Sequence, residues 1–335
     1  MSRHRILVTG GAGYIGSVLC PHLLDEGHEV TVFDGLFFGR EALSGPLDHE
    51  AFRLFEGDIR DRDALETLFA GGDFDRVIHL AAVSNDPSSE LDAEITRSVN
   101  LDGTRHVMEL AKAAGVERFL YASSASVYGL RDEDQVTEDL ELEPLTLYAR
   151  YKGEGEEILA GLVDDDFEGV AVRSATVCGM SPRLRLDLTV NILTCQAITN
   201  RKITVFGGSQ TRPNVHVDDL VDFYTLLLDA PGVSGEAFNV SQSNATVREI
   251  AETVRQEIDP AIPIEATPTD DNRSYRLDAG KARRMLDWKA SRGLVDAVRD
   301  LSQAFEAGQV PDPASARYRN VVLMSEDLSF WRRFA

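Results

Sequence analysis

Short apolar segments alternate with segments of helical periodicity along the first half of the chain. The apolar segments have the length of buried strands, and several periodic segments end near a glycine, which commonly stops a helix. This alternation predicts βαβ units, in which helices cover both faces of a parallel sheet. The predicted strands are residues 5–10, 29–34, 52–58, 75–82, 117–124 and 169–176. The predicted helices are residues 13–25, 63–72, 91–114 and 148–163.

The second half of the chain is less regular and predicts a smaller unit that packs beside this sheet. Residues 259–275 contain three prolines and several acidic residues, so we expect a loop with one short strand there. No element is predicted for the tail after about residue 310. The other predicted elements are strands at residues 202–208 and 235–241 and helices at residues 218–229, 246–258, 279–286 and 294–306.

These elements predict an α/β fold with two domains. Residues 1–176, joined by about 212–241, would form the larger domain around the parallel sheet. The rest of residues 177–335 would form a smaller, discontinuous C-terminal α/β domain. No flexible linker is visible between them, so we expect direct packing.

Composition narrows the class of protein. The chain has 335 residues, of which 43% are hydrophobic and 27% charged, as in ordinary globular proteins. No apolar run reaches the length of about 18 residues that a transmembrane helix needs, and the N-terminus lacks the apolar region of a signal peptide. Three widely spaced cysteines match neither a zinc pattern nor a disulfide framework. We therefore expect a cytoplasmic protein without a membrane partner.

The charge and the histidines argue against two other classes. A net charge of −22 makes binding to a nucleic acid polymer improbable, because such binding needs a basic surface. His79, His106 and His216 have spacings that match no metal-ligand pattern. We interpret them as core or capping residues, so no metal site is predicted.

Residues 8–16, VTGGAGYIG, join the first predicted strand to the first predicted helix. Glycines at such a turn let a diphosphate approach the amides at a helix N-terminus. Asp34 ends the second predicted strand, where a carboxylate would bind the adenosine ribose and repel a 2′-phosphate. The glycines could serve only a tight turn, but the strand–turn–helix context favours a dinucleotide, and Asp34 favours NAD over NADP. The loop residues assigned to the cofactor are Gly10, Gly13, Tyr14, Ile15 and Gly16.

The ends of the third and fourth predicted strands offer further contacts for a cofactor. Ligands of parallel sheets bind at the carboxyl ends of the strands. An adenine edge would lie beside the end of the third strand, and small residues at the end of the fourth would let a dinucleotide pass closely. Each position alone is equally compatible with ordinary packing. The residues assigned to the cofactor here are Asp58, Ile59, Leu80, Ala81 and Ala82.

Tyr148 and Lys152 stand four residues apart, shortly after the serine-rich segment SSASVYG at residues 123–129. Residues at this spacing share one face of a helix. The lysine ammonium would favour the phenolate and lower the tyrosine pKa, and a serine hydroxyl would complete a proton-transfer site. Such a site suits the interconversion of an alcohol and a ketone, which needs a hydride carrier. The pair alone would more often be solvent-facing, but the glycine loop upstream favours the catalytic interpretation.

Together these motifs resemble those of the extended short-chain dehydrogenase/reductase family, in its nucleotide-sugar epimerase/dehydratase branch. The resemblance covers nearly the whole chain and includes VNLDGT at residues 99–104 and RPNVHVDD at residues 212–219. It implies a Rossmann fold, with a doubly wound parallel sheet, and a smaller C-terminal domain that holds a nucleotide-diphosphate sugar near NAD. It also implies a homodimer joined by the helices around residues 91–114 and 148–163.

The resemblance implies roles for individual residues. Tyr148 would be the base, Lys152 would lower its pKa and hold the nicotinamide ribose, and Ser124 would hydrogen-bond the reacting sugar oxygen. Asn100 would hold a backbone turn near the cofactor, which Ser123 would also contact. The loop after the fourth strand would read the sugar, and two arginines would bind the substrate diphosphate. The implied substrate-binding residues are Ser84, Asn85, Ser124, Thr176, Asn191, Arg212 and Arg273.

The implied activity is NAD-dependent epimerisation of a nucleotide sugar, at C4, through a transient ketosugar. A nucleotide-sugar ketoreductase or dehydrogenase would use the same residues but would consume the cofactor. A 4,6-dehydratase would need an acidic pair where this chain has Ala125 and Ser126. A non-catalytic NAD-binding protein would usually lack the tyrosine or the lysine. The sugar, the nucleotide and the reacting carbon stay open at this point.

Overall fold

The structure is a computed structural model that describes residues 2–131, 133–269, 274–326 and 328–331. The strands are β1 (Arg5–Thr9), β2 (Glu29–Asp34), β3 (Phe52–Glu56), β4 (Arg76–His79), β5 (Arg118–Ser124), β6 (Glu168–Ser174), β7 (Thr176–Cys178), β8 (Ile203–Phe206), β9 (Thr211–His216), β10 (Ala237–Val240), β11 (Ser243–Thr246) and β12 (Ile264–Thr267). The helices are α1 (Gly16–Asp25), α2 (Arg62–Gly71), α3 (Asp86–Ser89), α4 (Ala93–Arg97), α5 (Thr104–Ala113), α6 (Leu147–Leu162), α7 (Thr189–Asn200), α8 (Val217–Leu227), α9 (Val247–Ile258), α10 (Gly280–Leu286), α11 (Leu294–Glu306), α12 (Asn320–Glu326) and α13 (Leu328–Trp331).

The main sheet contains, within the described residues, seven parallel strands in the order β10–β6–β5–β4–β1–β2–β3. The chain runs outward from β1 to β3 on one side and then from β4 to β6 on the other. This doubly wound order confirms the predicted Rossmann-type α/β fold. Because the winding direction reverses between β1 and β4, a crevice opens at the carboxyl ends of these two strands.

Two hydrophobic cores lie on opposite faces of the main sheet. Ile6 and Val8 of β1 pack in the core that also contains α1 and α8, whereas Leu7 packs in the core that contains α2, α5 and α6. Successive side chains of a strand point to opposite faces of the sheet, so a strand covered on both faces is apolar throughout. The apolar run in β1 follows from this double burial.

A second group of elements packs around two small sheets, with the strand orders β11–β9–β7 and β12–β8 in the described part of the chain. Helices α7, α9 and α11 pack against one another, and their apolar residues form a third core with β8. No helix among the residues described combines the length and apolar character that a membrane span would need.

The structure differs from the sequence prediction at several places. The sixth strand ends at Ser174, so Thr176 begins β7 in another sheet. The predicted helix at residues 91–114 is interrupted by a π-helical turn at Ser98–Gly103. Helix α7 was not predicted, because only its last two positions are exposed and the sequence therefore lacks a polar face at helical spacing.

The tail of the chain, for which no element was predicted, packs against the main sheet. Met324 of α12 and Trp331 of α13 are buried in the same core as Leu7 of β1. The predicted division of the chain had assigned this segment to the smaller C-terminal domain. Its buried contacts instead connect it to the larger sheet.

Candidate active site

The crevice at the ends of β1 and β4 continues into a cleft of about 590 Å³, a volume within the range of small-molecule sites. Asn100 and Asn191 lie outside its lining, and Arg273 lies outside the described residues. The cleft therefore brings together most of the positions predicted from the sequence. The predicted residues that line it are Gly10, Gly13, Tyr14, Ile15, Gly16, Asp34, Asp58, Ile59, Leu80, Ala81, Ala82, Ser84, Asn85, Ser123, Ser124, Tyr148, Lys152, Thr176 and Arg212.

The glycine loop forms a cradle in which side chains would clash. Gly10 has a φ of +75°, and a Cβ atom there would lie 2.6 Å from the backbone nitrogen of Ala81. A Cβ atom at Gly16 would lie 2.5 Å from the Cα atom of Gly11. Real side chains cannot accept such distances to backbone atoms, so these glycines hold β1, β4 and the start of α1 in close contact. This arrangement fits a dinucleotide diphosphate at the N-terminus of α1.

Asp34, at the end of β2, joins the glycine loop to the next segment of chain. Its carboxylate accepts hydrogen bonds from the backbone N–H groups of Ala12 (2.9 Å) and Leu36 (2.7 Å). Burial raises the pKa of Asp34, and the two N–H donors oppose this shift. The carboxylate lines the cleft at the predicted position for the adenosine ribose, and its ribose-binding role remains a prediction.

Asp58 and Asn100 both use their side chains in contacts within the protein. The Asp58 carboxylate forms a buried ion pair with Arg60 (2.6 Å), so much of its hydrogen-bonding capacity is used within the protein. Asn100, in the π-helical turn, accepts a hydrogen bond from the Val83 N–H (2.7 Å) and donates one to the Val83 carbonyl oxygen (2.9 Å). Asn100 thus holds the backbone directly after the Leu80–Ala82 segment that lines the cleft.

Ser124, Tyr148 and Lys152 meet at the ends of β5 and α6. Thr146 caps α6 by accepting a hydrogen bond from the Ala149 N–H (3.2 Å), so Tyr148 lies in the first turn of the helix. Ser124 hydrogen-bonds Tyr148 through their hydroxyl groups. The Lys152 ammonium is 5.8 Å from the centre of the Tyr148 ring. Lys152 is buried, whereas Ser124 and Tyr148 are half-buried, and all three side chains line the cleft as one group.

Burial dominates the protonation of this group. It raises the pKa of Tyr148 to about 12, although the hydrogen bond from Ser124 opposes the shift. It also lowers the pKa of Lys152 to about 7. The Lys152 ammonium donates a hydrogen bond to the Ala122 carbonyl oxygen (2.6 Å). The sequence predicted a lowered tyrosine pKa, and the structure instead raises it, because desolvation of the phenolate is the largest contribution.

A second polar layer lies behind Lys152. Glu156, one helical turn further along α6, forms an ion pair with Arg173 (2.6 Å) and accepts a hydrogen bond from Ser123. Its charge raises the pKa of Lys152 and thus partly offsets desolvation. Although Ser123 lines the cleft, its hydroxyl is used in this layer, so its predicted cofactor contact remains a prediction.

The predicted substrate residues divide into two sets. Ser84, Asn85, Thr176 and Arg212 all line the cleft. Asn191 is fully buried and faces the protein interior, where it accepts a hydrogen bond from the Gly179 N–H (3.1 Å) and donates to the Arg185 carbonyl oxygen (2.9 Å). The prediction that Asn191 faces the pocket is therefore not met. Its side chain satisfies buried backbone groups of the segment after β7.

That segment contributes charged residues that the sequence analysis missed. Arg185 pairs with Asp187 (2.9 Å) and donates to Ser84 Oγ (3.1 Å). Arg183 donates to the Leu184 carbonyl oxygen and to Asn320 Oδ1 (2.8 Å), and burial lowers its pKa to about 10. A buried cation bonded to neutral oxygens suits an anionic ligand such as a diphosphate. The arginines at alternate positions in the segment PRLRLD, residues 182–187, were the available signal.

His79 and His216 have structural partners. His79 lies in the sheet between Thr9 and Thr104, and burial lowers its pKa to about 3, so it is neutral near pH 7. His216 lies near Asp218 and Asp300, a grouping with the geometry of a possible cation site. Its Nδ1 atom accepts a hydrogen bond from the Asp218 N–H and caps α8. This cap gives His216 a structural role at the start of α8.

Fold and cleft together define a Rossmann-type dinucleotide-binding protein with a half-buried tyrosine and a buried lysine beside the cofactor groove. A sequence model of the NAD dependent epimerase/dehydratase family matches residues 6–241. The chain therefore belongs to this family, and NAD is its cofactor.

Three similar proteins illustrate the range of the family. The chain is 32% identical over 314 residues to UDP-glucose 4-epimerase of Streptomyces lividans, covering 88% of this chain and 94% of the relative. It is 30% identical over 337 residues to UDP-glucuronic acid decarboxylase 1 of Danio rerio, covering 95% and 78%. The structure of UDP-glucuronic acid 4-epimerase from Bacillus cereus, in complex with UDP-glucuronic acid and NAD, matches with a TM-score of 0.81 at 26% identity, covering 89% and 99%. The comparisons therefore indicate an NAD-dependent enzyme of the epimerase/dehydratase family.

Proposed function

We propose that this protein is a nucleotide-sugar epimerase that inverts C4 through a transient ketosugar. The observation that carries the proposal is the grouping of Ser124, Tyr148 and Lys152 in the same cleft as the glycine loop. Oxidation of an alcohol by the cofactor needs a group that accepts the hydroxyl proton, a hydrogen-bond partner for that hydroxyl, and a nearby cation. The chemistry that NAD supplies when bound is reversible hydride transfer.

Each of the three residues has a distinct task in the proposal. The Tyr148 oxygen would accept the proton of the sugar hydroxyl and later return it, while Ser124 orients that hydroxyl. The Lys152 ammonium has three N–H donors, and it donates one hydrogen bond to the Ala122 carbonyl oxygen. The others are available to the nicotinamide ribose and to the phenolate. A positive charge here would offset the burial that holds the tyrosine pKa near 12.

The residues between Ser124 and Tyr128 support epimerisation over 4,6-dehydration. Ala125 is buried and carries no acidic group, and the Ser126 hydroxyl donates to Ser124 Oγ (3.0 Å). Neither can serve as the carboxylic acid and carboxylate pair that removal of water from the sugar would need. In the proposed reaction the hydride therefore returns to the same carbon that it left.

The test is incubation of the purified protein with UDP-, dTDP-, GDP- and CDP-sugars, followed by proton NMR of the sugar ring and absorbance at 340 nm. An epimerase would give a C4 epimer at constant absorbance. The panel includes UDP-glucuronic acid, from which decarboxylation would give a pentose. A pentose product, or absorbance that changes in step with turnover, would refute the epimerase proposal in favour of a decarboxylase or of a dehydrogenase or reductase.

Two tyrosine variants make the test specific. Tyr148→Phe should lose nearly all turnover and still bind NAD, because only the proton acceptor is removed. Tyr151→Phe is the matched control, since Tyr151 lies on the same helix but outside the lining of the cleft. Unchanged turnover in Tyr148→Phe would remove this residue as the base. The homodimer remains a prediction, which the mass of the protein in solution would check.

A further inference from the structure

The last described residue of the chain, Trp331, lies against the part of the cofactor cleft beside β2 and β3. Its side chain is 6% exposed and lines the cleft. The ring stacks on Phe37, with centroids 4.0 Å apart and planes 9° apart. It also meets Phe38 edge-on, with centroids 5.9 Å apart. We call these three rings, Phe37, Phe38 and Trp331, the aromatic wall.

The aromatic wall is attached to the loops that follow two neighbouring strands. Phe37 and Phe38 come shortly after Asp34, which ends β2. Arg60 follows β3 and donates a hydrogen bond to the Trp331 carbonyl oxygen (2.7 Å) while pairing with Asp58 (2.6 Å). Because Asp58 also lines the cleft, Trp331 is held between the two loops that border this part of the groove.

The same tail is anchored a second time, next to the substrate residues. Asn320, at the start of α12, is 2% exposed. Its side chain accepts a hydrogen bond from Arg183 (2.8 Å) and donates one to Ser84 Oγ (3.1 Å), and its N–H donates to Asp187 (3.0 Å). Buried contacts of Asn320 and Trp331 therefore place two residues of the tail in the lining of the cleft.

The position of the wall identifies the group it would contact. In a doubly wound sheet the acidic residue after the second strand binds the adenosine ribose, so the adenine lies near the ends of β2 and β3. Purine rings gain stability from stacking on aromatic side chains. We propose that Trp331 is an adenine-binding residue of the NAD site, and that the aromatic wall borders the adenine end of the cofactor groove. This inference rests on NAD as the cofactor and does not depend on the epimerase proposal.

Tryptophan fluorescence tests the proposal directly, because the chain has only two tryptophans. Trp288 packs on Phe223 and lies outside the lining of the cleft, so Trp288→Phe leaves Trp331 as the single reporter. The full-length variant, freed of bound nucleotide, is titrated with NAD, AMP and nicotinamide mononucleotide. NAD and AMP should change the emission of Trp331, and nicotinamide mononucleotide should leave it unchanged. Emission that NAD and AMP leave unchanged at saturation would overturn the proposal.

Substitution of Trp331 gives an independent measure of its contribution to nucleotide affinity. Trp331→Ala should weaken AMP and NAD binding about tenfold, equivalent to about 1.4 kcal/mol, and Trp331→Phe should weaken it less because a ring is kept. Phe55→Ala is the control, since Phe55 is an exposed aromatic residue of β3 outside the cleft lining. Equal affinity for AMP in folded Trp331→Ala and in the parent protein would also overturn the proposal. If Trp331→Ala fails to fold, the titration of Trp288→Phe decides the question. All measurements omit sugar nucleotides, so they stay separate from the test of turnover.

Discussion

Replacing Lys152 with methionine should stabilise the cofactor-free protein near pH 7. Burial lowers the pKa of the Lys152 ammonium from an ordinary 10.5 to about 7. At a pH between these two pKa values, the unfolded chain binds a proton that the folded chain lacks. The lysine therefore lowers the free energy of unfolding, and this destabilisation becomes smaller as the pH rises. The shift corresponds to about 4 kcal/mol of lost stability at pH 7 and about 2 kcal/mol at pH 9.

Methionine has a similar length and no charge, so it would recover this loss in part. The variant also removes the donor to the buried Ala122 carbonyl oxygen, which costs about 1–3 kcal/mol. The net expectation is a gain of about 1–3 kcal/mol at pH 7 and a difference near zero at pH 9. In a protein of this size such a gain raises Tm by a few degrees.

Calorimetry of the cofactor-free proteins at pH 7 and pH 9 would measure this pH dependence. Lys202→Met is the matched control, because Lys202 is 46% exposed and its substitution should give the same small change at both pH values. The reasoning is refuted if Lys152→Met melts below the parent protein at pH 7, or if the difference in Tm is equal at both pH values.

The same variant should lose activity while it gains stability. At 5.8 Å from the Tyr148 ring centre, with an effective dielectric constant of about 20, a unit charge favours the phenolate by about 3 kcal/mol. If Tyr148 is the base, kcat/KM should fall about 100-fold. Turnover within a few fold of the parent protein would mean that the lysine charge does not act on this tyrosine.

Three further predictions concern the cofactor and substrate parts of the cleft. Asp34→Ala should reduce the preference for NAD over NADP at least about tenfold in calorimetric titrations, because the carboxylate that repels a 2′-phosphate is removed; unchanged preference would contradict this role. Gly16→Ala should weaken NAD binding at least about tenfold, since the new Cβ would lie 2.5 Å from backbone, whereas Gly45→Ala, with no atom within 4 Å, should bind NAD normally. Asp187→Asn should lower the free energy of unfolding by about 3 kcal/mol, because Arg185 would lose its buried carboxylate partner; a Tm equal to that of the parent protein would exclude a stabilising ion pair.

The parts of the fold that could be predicted are those with strong local signals. A strand such as β1 is buried on both faces and is therefore a short apolar run. The glycines of the loop and the Tyr148–Lys152 spacing are equally local, since a tight turn and one face of a helix each involve only a few neighbouring residues. These signals suffice to predict the positions of the main strands along the chain and the location of the cofactor groove.

Residues whose importance depends on distant partners could not be predicted in this way. Asn320 and Trp331 come from a tail without periodicity, and they reach the cleft only because the tail folds back onto the main sheet. Asn191 was predicted to face the pocket, but the buried backbone around it requires hydrogen-bond partners, and its side chain supplies them.

The sequence by itself determined a parallel sheet covered by helices on both faces, a dinucleotide-binding turn and the pairing of a tyrosine with a lysine. Only the tertiary structure decided how these two groups ionise. Both side chains are desolvated at the base of the cleft, so the pKa of Tyr148 rises to about 12 and that of Lys152 falls to about 7. Spacing along a helix predicts which side chains are neighbours. The free energy of a charged side chain depends on all the groups that surround it, including segments that are distant in the sequence.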